Sequence, residues 1–264
     1  MARFCSLSSG SSGNSIYVGS GSYGILVDAG ISTLSITRAL TERGTDIHKI
    51  LGIFITHEHS DHIKGLAVLA RKHAIPIYVN QGTLQGISNQ KIELHPDFIR
   101  IMDVGQTTVV GDMEITSFAT PHDSIESVGY RIHTVDGRKI GIATDLGGVT
   151  DAVESGLTGC DFVMLESNHD ENMLKNGGYP YYLKRRILGD RGHLSNTACA
   201  NLLTKLAFSG SSRFVLGHIS RENNMPEIAY QTTLQSISEK GLKIKQDFEL
   251  ETAIQGNPAK LHIF

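Results

Sequence analysis

The fold of this chain turns on one stretch: Ile50-Leu51-Gly52-Ile53-Phe54-Ile55-Thr56, followed without a break by His57-Glu58-His59-Ser60-Asp61-His62. The first part is mostly apolar and rich in β-branched side chains, the pattern of a strand buried on both faces. The second part holds four side chains able to bind a metal: His57, His59, Asp61 and His62. Histidines at i and i+2 on an extended chain point to the same side. The chain is then expected to turn into a helix through Lys72, capped by Asp61, so that Asp61 and His62 face a second point. This spacing suits two adjacent metal ions better than one. Imidazole and carboxylate donors are those of Zn, Mn or Fe. A solvated polar turn is the plain alternative, and four donors directly behind a buried strand weigh against it.

Working outward, strands are expected upstream over residues 4–7, 14–18 and 24–28. Downstream they are expected over 75–79, 98–102, 107–110, 113–119, 127–133 and 139–144. Asp136-Gly137 between the last two is a hairpin signal. Residues 32–43 have helical spacing, with Gly44 as the stop. Further on, a strand over 162–165 precedes helices over 181–188 and 195–206, the second with Ser195 as its N-cap. A strand over 213–216 and a helix over 227–238, opened by Pro226, follow. There is no internal repeat, low-complexity tract or long linker. The pattern implies one α/β domain over 1–264, with two β-rich layers covered by helices.

With 264 residues, 40% apolar and 19% charged, the chain has the means for a sizeable core. A net charge of −3 gives no global attraction for nucleic acid or an anionic membrane. Lys184, Arg185, Arg186 and Arg191 form a local basic cluster, either a solvated face or a phosphate-binding edge. Cys5, Cys160 and Cys199 are odd in number and far apart, which argues against a disulfide framework and for a reduced, cytoplasmic location. No signal peptide is expected, and no run approaches the ~18 apolar residues of a membrane span.

The H-x-H-x-D-H run resembles the signature of the metallo-β-lactamase superfamily. The resemblance implies a four-layer αββα sandwich and three further ligands: a histidine after a mid-chain strand, an aspartate after a later strand, and a histidine near the C-terminus. The matching positions are His122 in Thr120-Pro121-His122, Asp145 in Thr144-Asp145-Leu146-Gly147, and His218 in Gly217-His218-Ile219-Ser220. By that resemblance His57, His59 and His122 hold one ion. Asp61, His62 and His218 hold the second, and Asp145 bridges the two. Four further segments are similar to the YycJ (WalJ) group within the superfamily. They are Leu7-Ser8-Ser9-Gly10-Ser11-Ser12-Gly13-Asn14-Ser15, Leu165-Glu166-Ser167-Asn168-His169-Asp170, Tyr179-Pro180, and Gly192-His193-Leu194-Ser195-Asn196. This closer resemblance implies a nuclease with 5′→3′ exonuclease action on DNA, with RNA as a second substrate to consider.

Water held by two metals loses its proton far more readily than bulk water. A shift from 15.7 to about 7 is worth roughly 12 kcal/mol. Asp61 can ligate and also hold that water by a hydrogen bond. His193 and His169 are candidates to protonate a leaving oxygen or grip a phosphate, and either can equally be a packed neutral imidazole. Ser9, Ser12 and Asn14 lie in a loop able to present N–H groups and hydroxyls to a phosphate, or to form a plain β-turn. With Asn168 and His193 they are the candidate substrate contacts. Glu166 and Asn168 can also orient a ligating histidine. The same metals would serve a thioester or lactone hydrolase, or a cyclic-nucleotide phosphodiesterase. A non-hydrolytic sensor would have no need of the complete ligand set.

Overall fold

The computed structural model describes residues 1–253 and 258–264. Two seven-stranded sheets lie face to face. The first has the spatial order β14 (His262–Ile263), β1 (Arg3–Ser8), β2 (Ser15–Ser20), β3 (Tyr23–Val27), β4 (Ile50–Phe54), β5 (Ile77–Val79), β6 (Ile99–Ile101). The second runs β13 (Glu249–Thr252), β12 (Arg213–Gly217), β11 (Phe162–Glu166), β10 (Lys139–Ala143), β9 (Val128–His133), β8 (Met113–Ala119), β7 (Thr107–Val110). In each sheet an antiparallel meander passes into parallel strands. β3, β4, β5 and β6 are mutually parallel, as are β10, β11, β12 and β13.

Alternation along each strand divides its side chains between two cores. Ile25, Val27, Phe54, Phe162 and Met164 point between the sheets, where Phe4 meets Phe162 at 4.3 Å and Phe54 stacks on Tyr78 at 4.4 Å. Leu26 and Ile53 point outward beneath α1 (Thr33–Thr41), α3 (Leu66–His73) and α4 (Gln81–Asn89). Val163, Leu165, Phe214 and Leu216 point outward beneath α5 (Asp151–Leu157), α8 (Asn196–Phe208) and α9 (Pro226–Ser238). The result is the expected αββα sandwich. It explains why Ile50–Thr56 reads as an unbroken apolar run: both faces of β4 are covered. The sheets also touch through polar groups. Val128 N–H donates to Thr56 O at 3.0 Å, and the Tyr130 hydroxyl donates to Ile55 O at 2.6 Å.

The stretch after β4 departs from expectation. The helix expected through Lys72 is two, α2 (Ser60–Ile63) and α3, separated at Lys64 and Gly65. His59 occupies the N-cap position of α2, and Asp61 lies in its first turn instead of capping it. The break follows from a close approach of chain segments. Gly65 N–H donates to Ala29 O at 2.8 Å, and a Cβ on Gly65 would sit 2.1 Å from Ile31 O. From the other side, a Cβ on Gly30 would sit 1.6 Å from the Asp61 carbonyl oxygen. The two glycines let the β3 end press against the ligand turn. The helices α4, α5 and α6 (Glu171–Asn176) and the strands β13 and β14 were not legible in the sequence. In α4 the reason is Gly82 and Gly86, which break a helical pattern on paper. A Cβ on Gly86 would lie 2.4 Å from Glu58 Cγ, so that glycine admits a neighbouring side chain.

Candidate metal centre

The candidate residues stand where strands end. β4 runs into His57, with His59, Asp61 and His62 on the turn that opens α2. His122 follows β8, Asp145 follows β10, and His218 follows β12. Because β10, β11 and β12 are parallel, Asp145, Glu166 and His218 emerge at one edge of their sheet. Crevices beyond the carboxyl ends of parallel strands are the usual binding place in such sheets. Asp28, Asp145 and His218 all have left-handed backbones, with φ of +63°, +58° and +51°. Such strain costs on the order of 1–3 kcal/mol per residue and collects at functional sites. Here it aims three side chains inward at the ends of β3, β10 and β12.

The donors fall into sets. In each set the candidate ligand atoms all lie within 4.8 Å of one another. His57, His59 and His122 make one set, and Asp61, His62 and His218 another. Asp145 joins His57 and His62 in a third, so it reaches both sides. His59 Nδ1 and His122 Nε2 are 3.3 Å apart, and Asp145 Oδ2 is 3.1 Å from His62 Nε2. Four of the five rings are held from behind. His62 Nδ1 lies 2.7 Å from Asp28 Oδ2, and His218 Nδ1 lies 2.7 Å from Glu166 Oε1. His57 Nδ1 is 3.0 Å from Thr56 Oγ1, and His122 Nδ1 is 3.1 Å from the Gly192 carbonyl. The Thr56 hydroxyl in turn donates to Asp28 at 2.8 Å.

His57 Nε2 and His218 Nε2 are buried and without a hydrogen-bond partner among the described residues. Buried polar atoms are rarely left so. Rings braced at one nitrogen, with the other orphaned and converging, are what a metal site requires. The donors present therefore fit divalent metal, for which imidazole and carboxylate are suitable ligands.

The electrostatics agree. Burial disfavours charge on His62, but Asp28 and Asp145 outweigh it and raise its proton affinity well above normal. Burial likewise opposes charge on His218, and Asp145, Asp61 and Glu166 prevail there too. Burial, reinforced by neighbouring imidazoles, pushes His57 well down. The centre is thus a buried anionic field that calls for positive charge. Removal of metal by a chelator at pH 7 should lower the melting temperature by about 10 °C, relative to protein with free metal at 1,000 times Kd. Scanning calorimetry reads this directly, and an unchanged melting temperature would speak against a metal centre.

The other candidates lie around this cluster. His193 sits at its mouth, 19% exposed, with Nδ1 2.8 Å from Glu166 Oε1 and its ring 5.2 Å from that of His122. Burial opposes its charge, but Glu166 raises its proton affinity. His169 is 1% exposed and neither ring nitrogen has a hydrogen-bond partner; burial pushes its proton affinity down. Ser9, Asn14 and Asn168, expected against a phosphate, are buried, Ser9 and Asn168 against the His218 backbone and Asn14 against the side chains of Asp61 and His62. Ser9 Oγ accepts from His218 N–H at 2.8 Å, and Asn168 Nδ2 donates to His218 O at 2.9 Å. Asn14 Nδ2 lies 3.1 Å from Asp61 Oδ2 and 2.9 Å from His62 Nε2. Ser12 stands on the exposed part of that loop.

Three members of the basic cluster are engaged by the protein itself. Arg186 pairs with Asp123, Arg191 donates to His122 O and Ser124 O at 2.8 Å each, and Lys184 donates to Lys175 O at 2.8 Å. Sequence reasoning passed over Asp28 and Thr56. The one available signal was an acid closing the apolar run Gly24–Val27.

Residues 23–219 match the family described as a beta-lactamase superfamily domain. The chain is 38% identical to exodeoxyribonuclease YycJ of Bacillus anthracis over 98% of both chains. It is 37% identical to exodeoxyribonuclease WalJ of Streptococcus pneumoniae serotype 2, over 94% of this chain and 93% of that one. Among solved structures, the metallo-β-lactamase fold protein YhfI from Bacillus subtilis superposes with a TM-score of 0.71 at 15% identity, covering 98% of this chain and all of that one. With this fold, these donors and this full-length likeness, the chain belongs to the metallo-β-lactamase superfamily and, within it, to the YycJ/WalJ group.

Proposed function

We propose that the protein is a two-metal phosphodiesterase that degrades DNA from its 5′ end. The observation that carries this reading is the near full-length likeness to two exodeoxyribonucleases. His57, His59 and His122 would hold one ion and Asp61, His62 and His218 the other, with Asp145 within reach of both sets. Bound metals would supply a water of lowered pKa and offset charge on the scissile phosphate. Asp28 and Glu166 face Nδ1 of His62 and His218, which turns the Nε2 atom of each ring toward the centre. Ser9, Asn14 and Asn168 keep the ligand loops in register, and Asp61 can also accept a hydrogen bond from the attacking water. His193, at the mouth and charged with the help of Glu166, gives a proton to the leaving oxygen. His169 is buried away from solvent exchange, which turns the acid role toward His193. Its backbone carbonyl receives Asn196 N–H at 2.9 Å and so steadies the start of α8.

All 264 residues act as one domain in this reading, since both sheets share a core and both supply donors. The cytoplasm is the compartment that suits three buried, unpaired cysteines. No helix among the described residues is long and apolar enough to cross a membrane.

Purified protein loaded with Mn or Zn should be offered end-labelled DNA, RNA, a cyclic nucleotide and a thioester. Loss of nucleotides from the DNA 5′ end is expected. Turnover of the thioester with all nucleic acids intact would sink the proposal in favour of a carbonyl hydrolase, and preference for RNA would reassign the substrate. His193→Ala should lower kcat by about 100-fold or more while both metals stay bound. Metal loss in that variant, read by elemental analysis, would make His193 a ligand instead of an acid.

A further inference from the structure

His59 is the one candidate histidine ligand whose ring has no brace from behind among the described residues. Its Nδ1 lies 3.3 Å from His122 Nε2. Two imidazole nitrogens that share a tetrahedral ion at the usual bond length stand about 3.3 Å apart. With no brace on the ring, that separation depends on the backbone that carries His59. The residue beside it on the chain is Glu58.

Successive side chains of an extended segment alternate in direction. Glu58, between His57 and His59, accordingly leaves the centre and is buried against α4. The helix receives it at Gly86, where a Cβ would lie 2.4 Å from Glu58 Cγ. One turn earlier Gly82 receives Glu126, and a Cβ there would lie 2.5 Å from Glu126 Cβ. Positions four apart share a helix face, so both acidic side chains enter the same face of α4.

The two ends of α4 grip two different segments. At its start Asn80 Nδ2 and Thr83 Oγ1 donate to Glu126 O at 2.8 and 3.1 Å, and Gly82 N–H donates to Glu126 Oε2 at 3.0 Å. At its end Gln90 Nε2 donates to Glu58 O at 2.7 Å. Glu58 Oε1 closes the bracket by accepting from Ile125 N–H at 2.8 Å. Ile125 and Glu126 belong to the loop between β8 and β9 that carries His122. The other flank of that loop is held by Arg186 of α7 (Tyr181–Ile187), which pairs with Asp123. What Glu58 adds is the link from the His122 loop to His59.

We propose that Glu58, seated on α4, is a positioning residue that sets the separation of His59 and His122, and through it the affinity for the ion held by His57, His59 and His122. This rests on the two-metal reading above. The glycines of α4 are then part of the metal centre's design, although they touch no donor atom.

The probe is Zn, titrated into metal-free protein by isothermal titration calorimetry. The wild type should bind two ions, and His122→Ala identifies the one that belongs to the His57, His59 and His122 set. Glu58→Ala should weaken that ion about 10- to 100-fold and leave the other at wild-type affinity. Gly86→Ala should act in the same way by displacing Glu58, and it decides the matter if Glu58→Ala does not fold. Alanine is the better helix former, so a weakened helix cannot explain the effect. Glu58→Gln keeps an acceptor for Ile125 N–H and should restore most of the affinity. In a Glu58→Ala/His122→Ala protein the remaining ion should bind as it does in His122→Ala alone. Equal weakening of both ions, or wild-type affinity for both in Glu58→Ala and Gly86→Ala, would overturn the positioning role and leave the two-metal reading intact. If the wild type takes up fewer than two ions, both fall together.

Discussion

Asp145→Ala should leave a folded protein that binds fewer than two metals and turns over DNA at least about 10³-fold more slowly. Asp145 is the donor within reach of both ligand sets, with Oδ2 3.1 Å from His62 Nε2 and Oδ1 3.9 Å from His122 Nε2. It is 2% exposed, so no water can replace it without rearrangement of the left-handed turn that aims it. Its carboxyl opposes its own burial and is nevertheless held well below the usual range by His218, His62 and His57. The ionised form is thus the one the site is built around. On the proposed two-metal reading, its loss would take away the one carboxylate shared by the two donor sets. A two-metal site supplies several kcal/mol of transition-state stabilisation, and about 4 kcal/mol is a factor of 10³ in rate. Elemental analysis together with single-turnover cleavage of labelled DNA gives the answer. Two metals and wild-type rate in Asp145→Ala would refute the bridging assignment.

The second large effect concerns a residue that the proposed reaction does not use directly. Glu166 is fully buried and accepts four hydrogen bonds. Oε1 receives His218 Nδ1 at 2.7 Å and His193 Nδ1 at 2.8 Å, while Oε2 receives Leu146 N–H at 2.9 Å and Leu194 N–H at 3.1 Å. One carboxylate therefore holds a candidate ligand, the candidate acid and the loops behind Asp145 and His193. Glu166→Ala removes all four acceptors from a dry site. Breaking a buried charge pair costs about 3–5 kcal/mol, which corresponds to a fall of about 10 °C in melting temperature. Activity should drop roughly 100-fold as His218 and His193 lose their orientation. Glu166→Gln separates the two effects. It keeps the volume and one acceptor, so most of the melting temperature should return while activity stays low. A Glu166→Ala protein with unchanged stability and rate would show that the network is idle.

Asn14 illustrates how far local sequence carries and where it stops. The Ser/Gly loop was legible as a turn between two strands, and Gly10 and Gly13 do take positive φ there. Its direction was not legible. The loop turns toward Asp61, with Asn14 N–H donating to Asp61 O at 2.7 Å, because β2 and β3 bring it against the ligand turn. Asp28 was missed for the same reason. It stands 34 positions before His62, and only the parallel pairing of β3 with β4 brings it 2.7 Å from the ring. The basic cluster on α7 looked like an electrostatic patch, since charge can be counted in a sequence. Which charges are already satisfied depends on partners such as Asp123 and the His122 carbonyl, far away along the chain.

The stretch from Ile50 to His62 by itself determined the buried strand, the donor types and their position at its end. Those properties follow from side-chain chemistry and from short-range periodicity, which need no knowledge of neighbours. The tertiary structure decided which nitrogen of each histidine faces the centre. That choice depends on what touches the opposite nitrogen: Asp28 for His62, Glu166 for His218, Gly192 for His122. Each of those partners arrives from another segment, through strand register and loop packing that a linear pattern does not encode.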